Sequence, residues 1–370
     1  MGWSQVMVGP IGARVAMWRG WRGLSAAALA EASGEEYSPI DAIENGDEWV
    51  DRRGMLAGWA DVLRLDPVEL TGQPYPPAGA EHAAVRAAAY QLRRMLAESG
   101  PVVEPIEMDH TITLADEIRL AEHRGDELRV AQDLPSVIAS LDHLTAEAPG
   151  GAAAERLEGV RVDIHVAASG LLRRLGYRDL AWLLLHRAAP GRAEPVTVLA
   201  EEVRLLLDLG WPEYALARAA RVPANGELSL LMASAHAMAG RVEFAHELLD
   251  ACAMDAATPP CQAAVAGLRV TVAVETGEFE RAALLYDDVE MDALDPADRV
   301  GLSVSASSAF ARGGDMRRAV ELLVGAHEQT PLRLALDPFA RELLTVLPGR
   351  ITDLAVAGKL RAIAVLAGVS

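Results

Sequence analysis

The chain has 370 residues, 51% of them hydrophobic and 24% charged, with a formal net charge of −19. That length calls for two or more folding units, and the acidity opposes phosphate backbones unless a local basic patch overrides it. Two cysteines are too few for a disulfide scaffold, and no run approaches the roughly eighteen apolar residues that a membrane span needs.

The first helix is expected over Ile11, Val15 and Trp18, which share one face, and Gly23 stops it. Ser25 is placed to cap a short helix from Ala26 to Ala32, Ser33-Gly34 makes a tight turn, and a second short helix runs from Tyr37 to Glu44. Asn45-Gly46 ends it. A further helix carries Met55, Leu56, Trp59, Ala60 and Leu63 and closes before Pro67.

Leu24-Ser25, Leu29-Ala30-Glu31, Gly34, Ile40, Ile43-Glu44-x-Gly46 and the closing Leu65-Asp66-Pro67-Val68-Glu69-Leu70-Thr71-Gly72 align without a gap from Leu24 to Gly46. This pattern resembles the lambda-repressor-like, or XRE-type, helix-turn-helix family. The resemblance implies an all-α module over residues 1–72 that binds DNA, with Tyr37 and Ser38 opening the helix that enters the major groove. Arg14, Arg22, Arg52 and Arg53, with Arg19, are then the candidate phosphate contacts. The composition runs against this: residues 1–75 hold six arginines against eleven acids, and the reading helix with its lead-in carries Glu35, Glu36, Asp41 and Glu44. Five of the seven tryptophans also lie here. Trp18 and Trp59 read as core, whereas Trp3, Trp21 and Trp49 fall where the family is polar, and docking within the molecule is the favoured explanation.

Residues 73–109 form a proline-rich linker and a connecting helix, Glu81 to Glu98, with a second break at Gly100 to Pro105. From residue 110 to 370 the chain reads as helical repeats. A glycine followed five residues later by alanine occurs at Gly176/Ala181, Gly210/Ala215, Gly240/Ala245, Gly277/Ala282 and Gly314/Ala319. The positions seven before each glycine, Ser169, Val203, Ala233, Val270 and Ser307, are small or β-branched. This spacing resembles tetratricopeptide repeats, implying an α-solenoid with a C-terminal cap from Asp337 to Leu347 and Thr352 to Ala367. Arg119 to Pro149 supplies one or two degenerate earlier pairs. Carried over by offset from each glycine, the groove positions are Asp163, Arg173, Arg174, Arg204, Asp208, Ser234, Thr271, Glu275, Ser308 and Arg312. Arginines mixed with hydroxyls suit a carboxylate or a peptide backbone.

No phosphate loop, nucleophile elbow or zinc-protease motif occurs, Glu243-x-x-His246 lacks the second copy that a di-iron site needs, and Cys252 and Cys261 read as buried thiols. No catalytic residue, metal or cofactor is assigned. The expected protein is a cytoplasmic, dimeric transcriptional regulator in the actinobacterial style, binding DNA through the XRE-type module and a small molecule or peptide through the repeats. The alternative is an adaptor that does not bind DNA: its acidic module contacts protein while its repeats bind a partner or small molecule. A third reading is a repurposed enzyme with a pocket between module and repeats.

Overall fold

The computed structural model describes residues 9–97, 106–148, 150–188, 195–223 and 226–369. Trp3 and the break at Gly100 to Pro105 lie outside these residues. Among the described residues all regular structure is helical, with 21 α-helices and two 3-10 turns. None of the helices is long and apolar enough to cross a membrane.

Five helices open the chain: α1 (Ile11–Trp21), α2 (Ala26–Ser33), α3 (Tyr37–Glu44), α4 (Arg53–Leu63) and α5 (Pro67–Thr71). Local chemistry sets most of their ends. Ser25 Oγ accepts the Ala28 N–H at 3.0 Å, and Gly34 leaves α2 at φ +72°. Asp66 caps α5 through the Val68 N–H, with Pro67 at its first position. α1 and α4 differ, because Pro10 and Arg52 precede them and neither supplies a side-chain cap. Gly12 is required where α1 meets α3, since a Cβ there would lie 2.0 Å from the Ile43 carbonyl oxygen.

The next helices are α6 (Ala80–Ala97), α7 (Met108–Arg124), α8 (Glu127–Glu147), α9 (Ala152–Arg174), α10 (Arg178–Ala188) and α11 (Val196–Asp208). They are followed by α12 (Pro212–Ala219), α13 (Gly226–Met238), α14 (Val242–Asp255), α15 (Pro259–Glu275), α16 (Phe279–Tyr286), α17 (Pro296–Arg312), α18 (Met316–Gln329), α19 (Pro331–Leu336), α20 (Pro338–Val346) and α21 (Leu354–Leu366). α7 with α8, α9 with α10, α13 with α14, α15 with α16 and α17 with α18 are packed helix hairpins.

One local geometry recurs at the five glycines. Gly176, Gly210, Gly240, Gly277 and Gly314 all sit between φ +71° and +86°. In each case the next residue donates its N–H to the carbonyl four residues before the glycine. The alanine five residues on and the residue seven before are fully buried in all five copies. In the last copy they touch through a hydrogen bond, Ser307 Oγ donating to the Ala319 carbonyl at 2.9 Å. A sixth copy escapes a glycine/alanine search. Gly125 has φ +69°, Asp126 donates to the Ala121 carbonyl, and Val130 occupies the buried place of the alanine.

Division in space differs from division along the sequence. One compact unit joins residues 1–75 to residues 206–370, and the other comprises residues 76–205. In the first unit a single apolar core runs from Ile11, Leu29, Ile40 and Trp59 to Val270, Phe310, Leu343 and Leu360. The chain passes from the first unit to the second between Tyr75 and Pro76. Residue 110 lies inside the second unit, where α6 packs on α8.

The hairpin geometry has a measurable consequence. Ala282→Leu overfills a fully closed site and is expected to cost about 1–3 kcal/mol. Gly277→Ala meets no neighbouring atom, so its expected cost of about 1–2 kcal/mol is the backbone penalty at positive φ alone. Denaturant unfolding of the full chain checks both.

Candidate functional site

Between α3 and α4 the chain leaves helical geometry, and residues 48–54 meet side chains near the C-terminal ends of α15 and α17. Trp49 is 2% exposed, and its indole N–H donates to Ser308 Oγ at 2.8 Å. Ser308 in turn donates to Asp51 Oδ2 at 2.6 Å. Arg312 spreads its whole guanidinium over this segment. Nε donates to Asp51 Oδ2 at 2.5 Å, Nη1 to Glu48 Oε2 at 2.8 Å and Nη2 to the Trp49 carbonyl at 3.0 Å. The same guanidinium lies 4.6 Å from the Trp49 ring centre and 4.5 Å from that of Phe279, so it is stacked between two aromatic faces. Arg350 adds a hydrogen bond to the Gly46 carbonyl at 3.0 Å and sits 5.0 Å from the Trp49 ring.

The missing helix caps are found across the same contact. Glu275, at the end of α15, accepts the Arg53 N–H at 2.8 Å and the Gly54 N–H at 2.5 Å, the first two amides of α4. Glu342, on α20, accepts the Ile11 N–H at 2.8 Å, the first amide of α1, and the Val50 N–H at 3.5 Å. A carboxylate at a helix N-terminus meets both the unpaired amides and the positive end of the helix dipole. α4 approaches so closely that a Cβ at Gly54 would lie 2.5 Å from the Met238 carbonyl oxygen. Arg53 completes the contact through Asp208, 3.0 Å away, with the Phe339 ring centre at 5.0 Å.

The arginines expected on phosphates are therefore engaged within the chain. Arg14 is buried and donates to the carbonyls of Leu70, Thr71 and Gly9 at 2.5, 2.8 and 2.5 Å, closing the end of α5. Arg19 grips Glu44 with two parallel bonds of 2.7 and 2.5 Å. Arg22 reaches the Leu63 carbonyl at 3.0 Å, and Arg52 pairs with Glu35 at 3.4 Å. Tyr37 and Ser38 do stand exposed at the start of α3, but Glu36 and Asp41 are exposed with them. The Tyr37 hydroxyl donates to Asp41 Oδ1 at 3.3 Å.

The groove positions separate into three groups. Asp208, Glu275, Ser308 and Arg312 hold residues 48–54. Ser234 and Thr271 turn back onto carbonyls of their own helices, Leu230 and Gly267. Arg173, Arg174 and Arg204 belong to ion pairs. Arg173 pairs with Glu201 at 2.8 Å, Arg174 with Glu122 and Glu127 at 2.9 and 2.8 Å, and Arg204 with Glu201 at 3.8 Å. Asp163 lies in the same unit, its carboxyl pushed above the usual range by burial and drawn back by Arg119. Glu48, Asp51, Phe339 and Glu342 were not singled out by the sequence. The only hint was the absence of a capping side chain before α1 and α4, which a search for motifs passes over.

Cys261 is exposed on the first turn of α15 and Cys252 is half-buried, so neither is the fully enclosed thiol expected. Among the described residues no group of three or more His, Cys, Asp or Glu could hold a metal ion. Comparison with family models, curated protein sequences and solved structures finds no match to the chain.

Two tests follow from these contacts. Trp49→Ala removes a buried indole and its hydrogen bond and is expected to destabilise the full chain by about 3–5 kcal/mol. Glu275→Ala leaves two amides without a partner and is expected to cost about 1–3 kcal/mol, with amide exchange rising at Arg53 and Gly54. The pH dependence has a definite sign. Burial raises the Glu342 carboxyl to about 7; the Ile11 and Val50 amides and Arg14 oppose the shift, and Asp51 adds to it. The ionised form is thus less favourable folded than unfolded. Its contribution to stability is complete below about pH 4.5 and is lost as pH rises to about 7, a change on the order of 3 kcal/mol. Glu275 and Asp337 are shifted upward by burial as well. Denaturation midpoints across pH 4–8 are expected to fall less steeply for Glu342→Gln than for the unaltered chain.

Proposed function

We propose that the chain is a binding regulator in which an XRE-like helix-turn-helix module, residues 1–72, is held closed against the inner face of a tetratricopeptide-like array. In this reading the module's output is a protein contact made by the exposed face of α2 and α3, and the array receives the signal as a peptide or small molecule. The observation that carries it is the seating of residues 48–54 on Asp208, Glu275, Ser308 and Arg312. It supports the reading because repeat proteins of this kind take ligands on their concave face. The acidity of the outer face supports a protein target over nucleic acid. Glu31, Glu36, Asp41 and Asp47 are exposed, and Arg14, Arg19, Arg22, Arg52 and Arg53 are engaged within the chain. Each phosphate contact contributes about one unit of salt dependence, so a module in which five of six arginines are engaged within the chain, Arg64 being exposed, retains little affinity for a duplex.

A second reading keeps the module as a DNA-binding unit of a ligand-responsive, dimeric transcriptional regulator. The Ser25-capped α2, the left-handed Gly34 turn and exposed Tyr37 and Ser38 favour it. One pair of experiments separates the two. Filter binding at low salt, with duplexes including the DNA flanking the gene, is expected to give no salt-sensitive retention of the full chain. Retention that disappears in Arg52→Glu/Arg53→Glu would establish the second reading instead. A photo-crosslinker at Tyr37 is expected to capture one discrete protein in extracts of the source cells. That adduct should be absent when the probe sits at Tyr90, exposed in the other unit.

A further inference from the structure

We propose that the pocket formed by Ser308, Arg312, Phe279 and Arg350 is a receptor for an acidic, tryptophan-bearing peptide of a partner protein, and that residues 48–51 are its built-in stand-in. The inference deepens the regulator reading: it names the signal that opens the module.

The chemistry of the present occupant defines the chemistry of a competitor. Arg312 is stacked between Trp49 and Phe279, 4.6 and 4.5 Å from their centres, which selects a flat aromatic side chain. The Trp49 N–H to Ser308 bond selects an indole, because phenylalanine would leave the buried hydroxyl without that donor. Asp51 Oδ2 accepts from both Ser308 and Arg312, and Glu48 from Arg312, so carboxylates are selected one residue before the indole and two after it. The Trp49 and Gly46 carbonyls each receive an arginine donor, which fixes an irregular backbone rather than a helix. A segment reading Glu-Trp-x-Asp satisfies the Ser308 and Arg312 donors, and two further residues before its glutamate supply the carbonyl that Arg350 meets.

Residues 48–51 also include Val50, which is fully buried in the shared core and donates its N–H to Glu342 at 3.5 Å, so a competitor needs an apolar residue between the indole and the second carboxylate. Residues 48–51 precede α4 and lie outside any helix, so a partner segment of the same sequence presents the same groups without folding first. Glu275 and Glu342, in contrast, hold amides at the starts of α4 and α1. A competitor that takes the Ser308–Arg312 pocket displaces Trp49 from its seat and leaves α4 held by Glu275, Asp208, Phe339 and the shared apolar core. Occupancy by the peptide and seating of Trp49 therefore exclude one another, and the affinity seen for a competitor is reduced by the fraction of chains that are closed.

The test uses the full chain and a labelled synthetic peptide reproducing residues 46–52, read by fluorescence polarisation. The unaltered chain is expected to bind it weakly. Trp49→Ala, which empties the pocket, and Asp51→Asn, a milder variant, are each expected to bind at least tenfold more tightly while retaining helical circular dichroism. Adding Arg312→Glu to Asp51→Asn is expected to abolish binding, as is replacing the peptide's tryptophan by alanine. In the unaltered chain, saturating peptide is expected to raise amide exchange at Arg53 and Gly54. Equal affinity of the unaltered and folded opened chains, or binding indifferent to the peptide's tryptophan, would overturn the proposal. Neither result depends on whether the outer face of α2 and α3 binds protein or DNA. A DNA-binding outcome above would therefore leave this pocket standing, and failure here would leave that outcome untouched.

Discussion

Two helices of the N-terminal bundle begin after residues that cannot cap them, and the amides left open are taken by carboxylates about 220 and 330 residues away, Glu275 and Glu342. This exchange organises the first unit. A hydrogen bond to a charged acceptor contributes about 1.5–3 kcal/mol net, and more is lost when one partner is removed and the other stays buried. The bundle therefore has open first amides on α1 and α4 when taken alone and pairs them only on α15 and α20. Its core follows the same logic, since apolar side chains from Ile11 to Leu70 merge with those of residues 263–369.

The stacking of Arg312 adds selectivity to that contact. A guanidinium is planar and carries five donors in fixed directions, so it can stack and donate at once. Here it serves two carboxylates and a carbonyl while lying between two rings. A lysine has neither the plane nor the fork. The site reads as much through shape as through charge, which is why the acidic surroundings of Glu48 and Asp51 do not repel the segment from an acidic protein.

Helix positions were largely legible in the sequence because their determinants are local. Ser25, Gly34 and the five phased glycines act within one turn, and α3 spans Tyr37 to Glu44 as its residues imply. The Gly125 hairpin was obscured because Val130 fills the place that alanine holds elsewhere, which changes the pattern but not the packing. The candidate site was legible only in half. Offsets from the glycines picked out Asp208, Glu275, Ser308 and Arg312, but not what faces them. Sequence spacing records which side of a helix a residue occupies, whereas the partner is fixed by tertiary contact. Arg14 marks the same limit from the other side. In a linear charge count it resembles a phosphate ligand, yet its donors end on three carbonyls in the interior.

The first unit is assembled from both ends of the chain, with residues 76–205 synthesised in between. Val50 and its acceptor Glu342 are 292 residues apart. At translation rates of about 5–20 residues per second, the bundle emerges about 15–60 s before the surface that completes it. During that interval α1 and α4 have unpaired first amides, and Trp49 has neither Ser308 nor Arg312 to receive it. Completion of this core is thus a late event in the chain's biogenesis, and the nascent bundle must persist for that interval without it.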